Sequence, residues 1–307
     1  EKLPLPIIRK LMNCVKNTKR KQMRFSIWSA QRSAKSENHI FFHPLFGDVS
    51  TESTELKHHY YMEVPMAKLL LGKEVTASLN EEIRKKTELL TAHHITPKLG
   101  IIRIGEREDD ISYERGATKR CETLGVAYEK FLLPENASEE MVLNTIAQVN
   151  EADDIHGVLL FRPLPRHLNE NKIINALAAE KDIDGITDRS MASVFLGKQG
   201  GFAPCTPSAC IKILDHYGID CTGKKAVVIG RSPVVGKPAA MMLLQKNATV
   251  TICHTKTTDM PSVVKEADIV IVAAGRAGVI DAKYLRAGQT VIDVGINVNE
   301  EGKLSVT

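Results

Sequence analysis

"KKAVVIGRSPVVGKPAAMMLL", Lys224–Leu244, decides the fold. A short apolar run, "AVVI", stops at Gly230, a loop of polar and valine residues follows, and Gly236-Lys237-Pro238 opens a long aliphatic stretch. The reading is strand, turn, helix, with proline near the first helical turn. The glycines stand six apart and Ser232 takes the middle position, so the turn departs from G-x-G-x-x-G. Its place still favours a dinucleotide, because helix amides opening after such a strand face a phosphate. Arg231 and Ser232 add a cation and a hydroxyl there.

Three more strand-like runs follow at even spacing: "ATVTICH", "DIVIVAAG" and "TVIDVGIN". The segments between them, "KPAAMMLLQKN", "DMPSVVKEA" and "IDAKYLRAG", read as helices. The alternation predicts a doubly wound Rossmann-type domain over residues 206–307, its crevice at the carboxyl ends of the strands. The second strand ends in His254, Thr255 and Lys256, and the first acid after it is Asp259. An acid at that point would suit the ribose hydroxyl of NAD, whereas a cation and a hydroxyl suit a 2′-phosphate, so NADP is expected and NAD is the alternative.

Upstream, "TASLNEEIRKKTELLTAHH", "ISYERGATKRCETLG" and "SEEMVLNTIAQVN" have helical spacing, and "PKLGIIRIG", "AYEKFLLP" and "IHGVLLF" are strand-like. They predict a second α/β domain with a largely parallel sheet over residues 66–205. Residues 1–65 show no sustained period. Their basic start resembles a transit peptide, and the expectation is a disordered, non-homologous extension over residues 1–65 joined to a domain that begins at Met66.

The chain of 307 residues is 43% hydrophobic and 25% charged, with a net charge of +4. So slight a balance argues against nucleic acid as a partner. No apolar run approaches the ~20 residues of a membrane span. The six cysteines are scattered without metal-ligand spacing, which reads as reduced thiols in a cytoplasmic protein with no metal site.

In order along the chain stand "GVLLFRPLP" (157–165), "EKDIDG" (180–185), "PCTPSA" (204–209), "GRSPVVGKP" (230–238), "ATVTICHTKT" (248–257), "ADIVIVAAG" (267–275) and "VIDVGIN" (291–297). Together they resemble the bifunctional methylenetetrahydrofolate dehydrogenase/cyclohydrolase family. That resemblance implies a three-layer α/β substrate domain beside the NADP domain, with tetrahydrofolate in the cleft between them, and a homodimer paired through the cofactor domains. It implies oxidation of 5,10-methylenetetrahydrofolate and hydrolysis of the methenyl product. By position it assigns Tyr113 and Asp184 to catalysis and folate binding, with Pro163, Leu164 and Pro165 beside the substrate. It assigns Gly230, Arg231, Ser232, Gly236, His254, Thr255, Ala274, Gly275 and Ile296 to the cofactor.

Two family positions differ. The lysine expected four residues after the tyrosine is Ala117, and its glutamine partner is Phe161. Lys119 lies about 200° around the helix from Ala117 and cannot replace it. Arg115 and Arg162 are nearby cations, but arginine stays protonated and carries protons poorly. Oxidation is therefore expected, with hydrolysis lacking its usual proton carrier. Family chains also continue past "DVGIN" into a loop and a helix that wall the cleft. Competing readings are a bifunctional enzyme, an NADP-dependent dehydrogenase of another small acid, and a non-catalytic nucleotide-binding homologue.

Overall fold

The computed structural model describes residues 28–29, 68–275, 278–294, 297–298 and 304–305. In chain order the elements are β1 (Trp28–Ser29), β2 (Lys68–Leu69), α1 (Gly72–Ala92), β3 (Lys98–Ile104), α2 (Glu108–Leu124), β4 (Ala127–Leu133), α3 (Glu139–Glu151), β5 (Gly157–Leu160), α4 (Glu170–Ala176) and α5 (Asp188–Leu196). There follow α6 (Cys205–His216), β6 (Lys225–Ile229), α7 (Gly236–Gln245), β7 (Thr249–Cys253), α8 (Met260–Lys265), β8 (Ile269–Val272), β9 (Thr290–Asp293), β10 (Asn297–Val298) and β11 (Leu304–Ser305).

Two parallel sheets organise these elements. The first has the order β4-β3-β5. In the second, β9-β8-β6-β7 run parallel, and β1 and β2 extend the β9 edge antiparallel. Both are wound in two directions from their first strand, so each has a switch point: β3/β5 and β6/β8. Strands β5 and β8 are buried at every residue, as strands covered on both faces must be. On one face of the first sheet Leu99, Ile101 and Leu159 meet Ile83, Leu90 and Cys121 of α1 and α2. On the other, Ile102, Val158 and Leu160 meet Val142, Ile146 and Ile173 of α3 and α4. Helix α1 joins the two bodies: Val75 packs in the core of the second sheet, Ile83 in that of the first, and Leu79 against both.

Several boundaries follow from local chemistry. Ser138 caps α3 by accepting from the Met141 amide, and Gly125 ends α2 in the left-handed region. Three expectations need correction. Helix α1 starts at Gly72, one turn before Thr76. Helix α5 was not expected from its small and polar residues, although Thr187 caps it on the Ser190 amide. The stretch 280–288 forms turns instead of a helix. There the backbone closes only short bonds, Tyr284 to Asp281 and Leu285 to Ala282, and the Arg286 guanidinium is drawn off to the carbonyls of Lys265 and Ala267.

A buried charge cluster anchors α2 to the first sheet. Glu114, 7% exposed, accepts from Arg103 Nε and Lys130 Nζ at 2.8 Å each. Burial alone would raise its pKa, but the bonds from Lys130 and Arg103 outweigh that and hold it below the usual carboxylate range. Glu114→Ala leaves the Arg103 charge buried without its carboxylate, and should cost about 3–5 kcal/mol in urea unfolding. Because the folded pKa is depressed, this contribution is present above about pH 4.3 and is lost as the pH falls through the lowered value. The wild type should show that acid loss in its urea midpoint, and Glu114→Gln should not.

Candidate active site in the cleft between the sheets

The carboxyl ends of the two sheets open on a common cleft of about 970 Å³, the upper range for a small-molecule site. Its walls come from α1, the start of α2, the residues after β5, the loop around Asp184, and Pro233–Val234 after β6.

Tyr113 projects from α2 and is 38% exposed, its ring edge-on to Phe161 at 5.5 Å and 85°. One turn later Ala117 is fully buried, packed in the same core cluster as Phe161 and Cys121. The positions expected to carry lysine and glutamine are thus filled by an apolar contact. Lys119 and Arg115 are exposed. Arg162 lines the cleft and pairs with Glu170 at 3.3 Å.

Asp184 also lines the cleft. Its loop is held from beneath by the fully buried Asp182, whose carboxylate accepts from the amides of Ile186 (3.1 Å) and Thr187 (2.8 Å). Gly185 has φ +64, and a Cβ there would lie 2.5 Å from the Phe202 carbonyl oxygen and 2.6 Å from the Pro204 nitrogen. The turn that presents Asp184 therefore requires glycine.

The Pro corner is placed differently from expectation. Leu164 is buried with Ile102, Leu160 and Ile173, and neither it nor Pro163 nor Pro165 lines the cleft. The cleft surface of this segment is Leu159–Arg162.

Several polar cleft residues escaped the sequence reading, among them Lys73, Asn80, Asp110 and Arg120. Asp110 and Arg120 stand three before and seven after Tyr113, spacings that share its helix face and could have found them. Burial lowers the Arg120 pKa, although a guanidinium keeps its proton at neutral pH. The side-chain oxygen of Asn80 is buried without a hydrogen-bond partner.

The glycine turn lies at the β6/β8 switch point. Gly230 has φ +127, and a Cβ on it would sit 2.5 Å from the Ala273 carbonyl oxygen at the end of β8. At Gly236 the added carbon would be 2.1 Å from the Gly230 carbonyl oxygen. Ser232 Oγ accepts from the Val235 amide at 3.1 Å and the Gly236 amide at 3.4 Å, closing the turn. The cradle is backbone against backbone, the form a dinucleotide phosphate needs. Arg231 is exposed beside it. After β7, the His254 amide donates to Thr257 Oγ1 at 2.8 Å and the Lys256 amide to His254 Nδ1 at 3.1 Å, with Thr255 and Lys256 in solvent. Ala274 packs partly buried beside β8 and Gly275 is exposed. Ile296 lies outside the described residues. Among the described residues no group of three His, Cys, Asp or Glu side chains could hold a metal ion, and no helix is long and apolar enough to cross a membrane.

Two family models match the chain: the catalytic domain of tetrahydrofolate dehydrogenase/cyclohydrolase over residues 70–184 and its NAD(P)-binding domain over 204–306. Similar proteins include the bifunctional protein FolD of Clostridioides difficile, 48% identical over 77% of this chain and 82% of that one. FolD of Carboxydothermus hydrogenoformans is 49% identical over 76% and 81%. Among solved structures, the bifunctional FolD of Campylobacter jejuni has a TM-score of 0.73 at 37% identity, covering 76% of this chain and 83% of that one. The Trypanosoma brucei enzyme, complexed with NADP and an inhibitor, has a TM-score of 0.69 at 29% identity over 76% and 82%.

Proposed function

The chain belongs to the tetrahydrofolate dehydrogenase/cyclohydrolase family, and from that premise we propose that it oxidises 5,10-methylenetetrahydrofolate to the methenyl cation with NADP as acceptor. One observation carries this reading: Pro233 and Val234, the middle of the glycine turn, line the same cleft as Tyr113 and Asp184. A ring held by the turn and a ring held by that wall share one cavity.

NADP, when bound, supplies the nicotinamide that takes up a hydride. The protein's work is then to place two rings and keep water out. Tyr113 packs over the folate, backed by Phe161, and Asp184 accepts paired hydrogen bonds from the amino-pyrimidine edge of the pterin. Gly230, Arg231, Ser232 and Gly236 hold the phosphates, Ala274 and Gly275 border the cofactor beyond β8, and His254, Thr255 and Lys256 receive the 2′-phosphate. The folate domain runs to about residue 205 and the cofactor domain from 206. We place the reaction in the cytoplasm and the protein in a homodimer.

Oxidation needs no proton carrier, so Ala117 and Phe161 do not impede it. Purified protein given methylenetetrahydrofolate should reduce NADP, with KM at least about tenfold lower than for NAD, since one charge-assisted phosphate contact contributes ~1.5–3 kcal/mol. Absence of reduced nicotinamide absorbance with either cofactor would sink the reading.

A further inference from the structure

We propose that Asp110 is the carboxylate against which the cation of the oxidised folate forms, and so a catalytic residue of hydride transfer. The inference rests on the functional reading above. Asp110 stands on the first turn of α2, three residues before Tyr113 and on the same helix face, and it lines the cleft while only 7% exposed. Asp109 and Asp188 also line the cleft but are exposed, and Asp184 is only partly buried. Asp110 is thus the buried acid beside the ring that packs over the substrate.

Its nearest counter-charge is a long, solvent-facing ion pair. Arg107 Nε is 4.0 Å away on a half-exposed side chain whose Nη1 donates to the Pro163 carbonyl. Arg103 is committed to Glu114 and to the Gly105 carbonyl. Burial pushes the Asp110 carboxyl up; Arg107 and Arg103 draw it down and Asp109 raises it. The remaining charged groups facing the cleft are Lys73 from α1, Arg120 further along α2, Arg162 after β5, and Asp184.

In the reaction a C–H bond of the methylene carbon breaks, and its electron pair leaves as hydride to the oxidised nicotinamide. A nitrogen lone pair closes a C=N bond, and the positive charge spreads over the N–C–N unit. No proton moves. Before transfer that unit is neutral, so a carboxylate beside it binds the transition state better than the substrate. The effect belongs in kcat and not in KM.

The test is Asp110→Asn in the full chain. A kcat loss of about 10–100-fold is expected, with KM for methylenetetrahydrofolate within about twofold of wild type. Affinity for methenyltetrahydrofolate, measured by titration without cofactor, should weaken by a similar factor while that for tetrahydrofolate holds. The wild type should lose kcat as acid neutralises the carboxylate, from a midpoint above the ordinary aspartate range of ~3.9, and the variant should lack that limb. Unchanged kcat in the variant, or equal weakening of both ligands, overturns the inference and leaves the functional reading standing. A wild type that reduces no NADP overturns both.

Discussion

Gly236→Ala is expected to weaken cofactor binding severely while leaving the two sheets folded. The new methyl would lie 2.1 Å from the Gly230 carbonyl oxygen, 2.5 Å from its carbon and 3.0 Å from the Arg231 nitrogen. All three are backbone atoms, so no side chain can swing aside. Either the turn lifts or α7 retreats, and both carry the Val235 and Gly236 amides away from Ser232 Oγ, so that Arg231 and Ser232 no longer face the phosphates. Losing those two charge-assisted hydrogen bonds, at ~1.5–3 kcal/mol each, predicts about 10²–10⁴-fold weaker NADP binding. Overpacking should cost a further ~1–3 kcal/mol of stability. Titration of NADPH fluorescence gives the first number and urea unfolding the second. Gly116→Ala is the control: it lies inside α2 with nothing within 4 Å of the added carbon. It should stabilise by up to about 1 kcal/mol and leave affinity alone. Gly236→Ala protein that binds NADPH as wild type does would remove the turn from the cofactor site.

What the sequence made legible is what local chemistry determines. The apolar runs of β6, β8 and β9 announce strands because parallel strands are covered on both faces. Gly230 and Gly236 announce a turn because neither position tolerates a Cβ. The segment 280–288 misleads for the opposite reason: its spacing suits a helix, but the side chain of Arg286 finds better acceptors at the end of α8 than along its own axis. Helix α5 hides because Ser190 and Ser193 are buried in a small, polar niche and give no apolar stripe. At the site, counting forward from Tyr113 by four residues found Ala117. The same helix face also contains Asp110 and Arg120, which steps of three and seven from Tyr113 reach and the packing of α2 against the cleft places in it. Leu164 fails as a cleft residue because the chain turns back into the core of the first sheet before reaching it.

The wild-type protein is expected to hydrolyse methenyltetrahydrofolate no faster than about twice the spontaneous rate. Attack by water must shed a proton, and opening of the ring must deliver one to nitrogen; a positioned carrier contributes ~10²–10⁴-fold. At the two positions where the family pattern sets lysine and glutamine, this chain has a fully buried alanine and a phenylalanine in edge contact with Tyr113. Arg120, one turn beyond Ala117, brings a charge but cannot cycle a proton. Asp110 works against the step: a carboxylate that stabilises the methenyl cation for hydride transfer also makes it a poorer electrophile toward water. The two halves of the family's chemistry would thus pull on the cleft in opposite directions, and the expected outcome is a cleft that forms the cation faster than it consumes it. Loss of the methenyl chromophore with protein and with buffer alone checks the claim. Turnover more than tenfold above buffer would show that another group moves the proton. Ala117→Lys/Phe161→Gln should gain hydrolysis by at least tenfold, and Ala117→Lys alone should not, because the Phe161 ring still occupies the place of the lysine's partner.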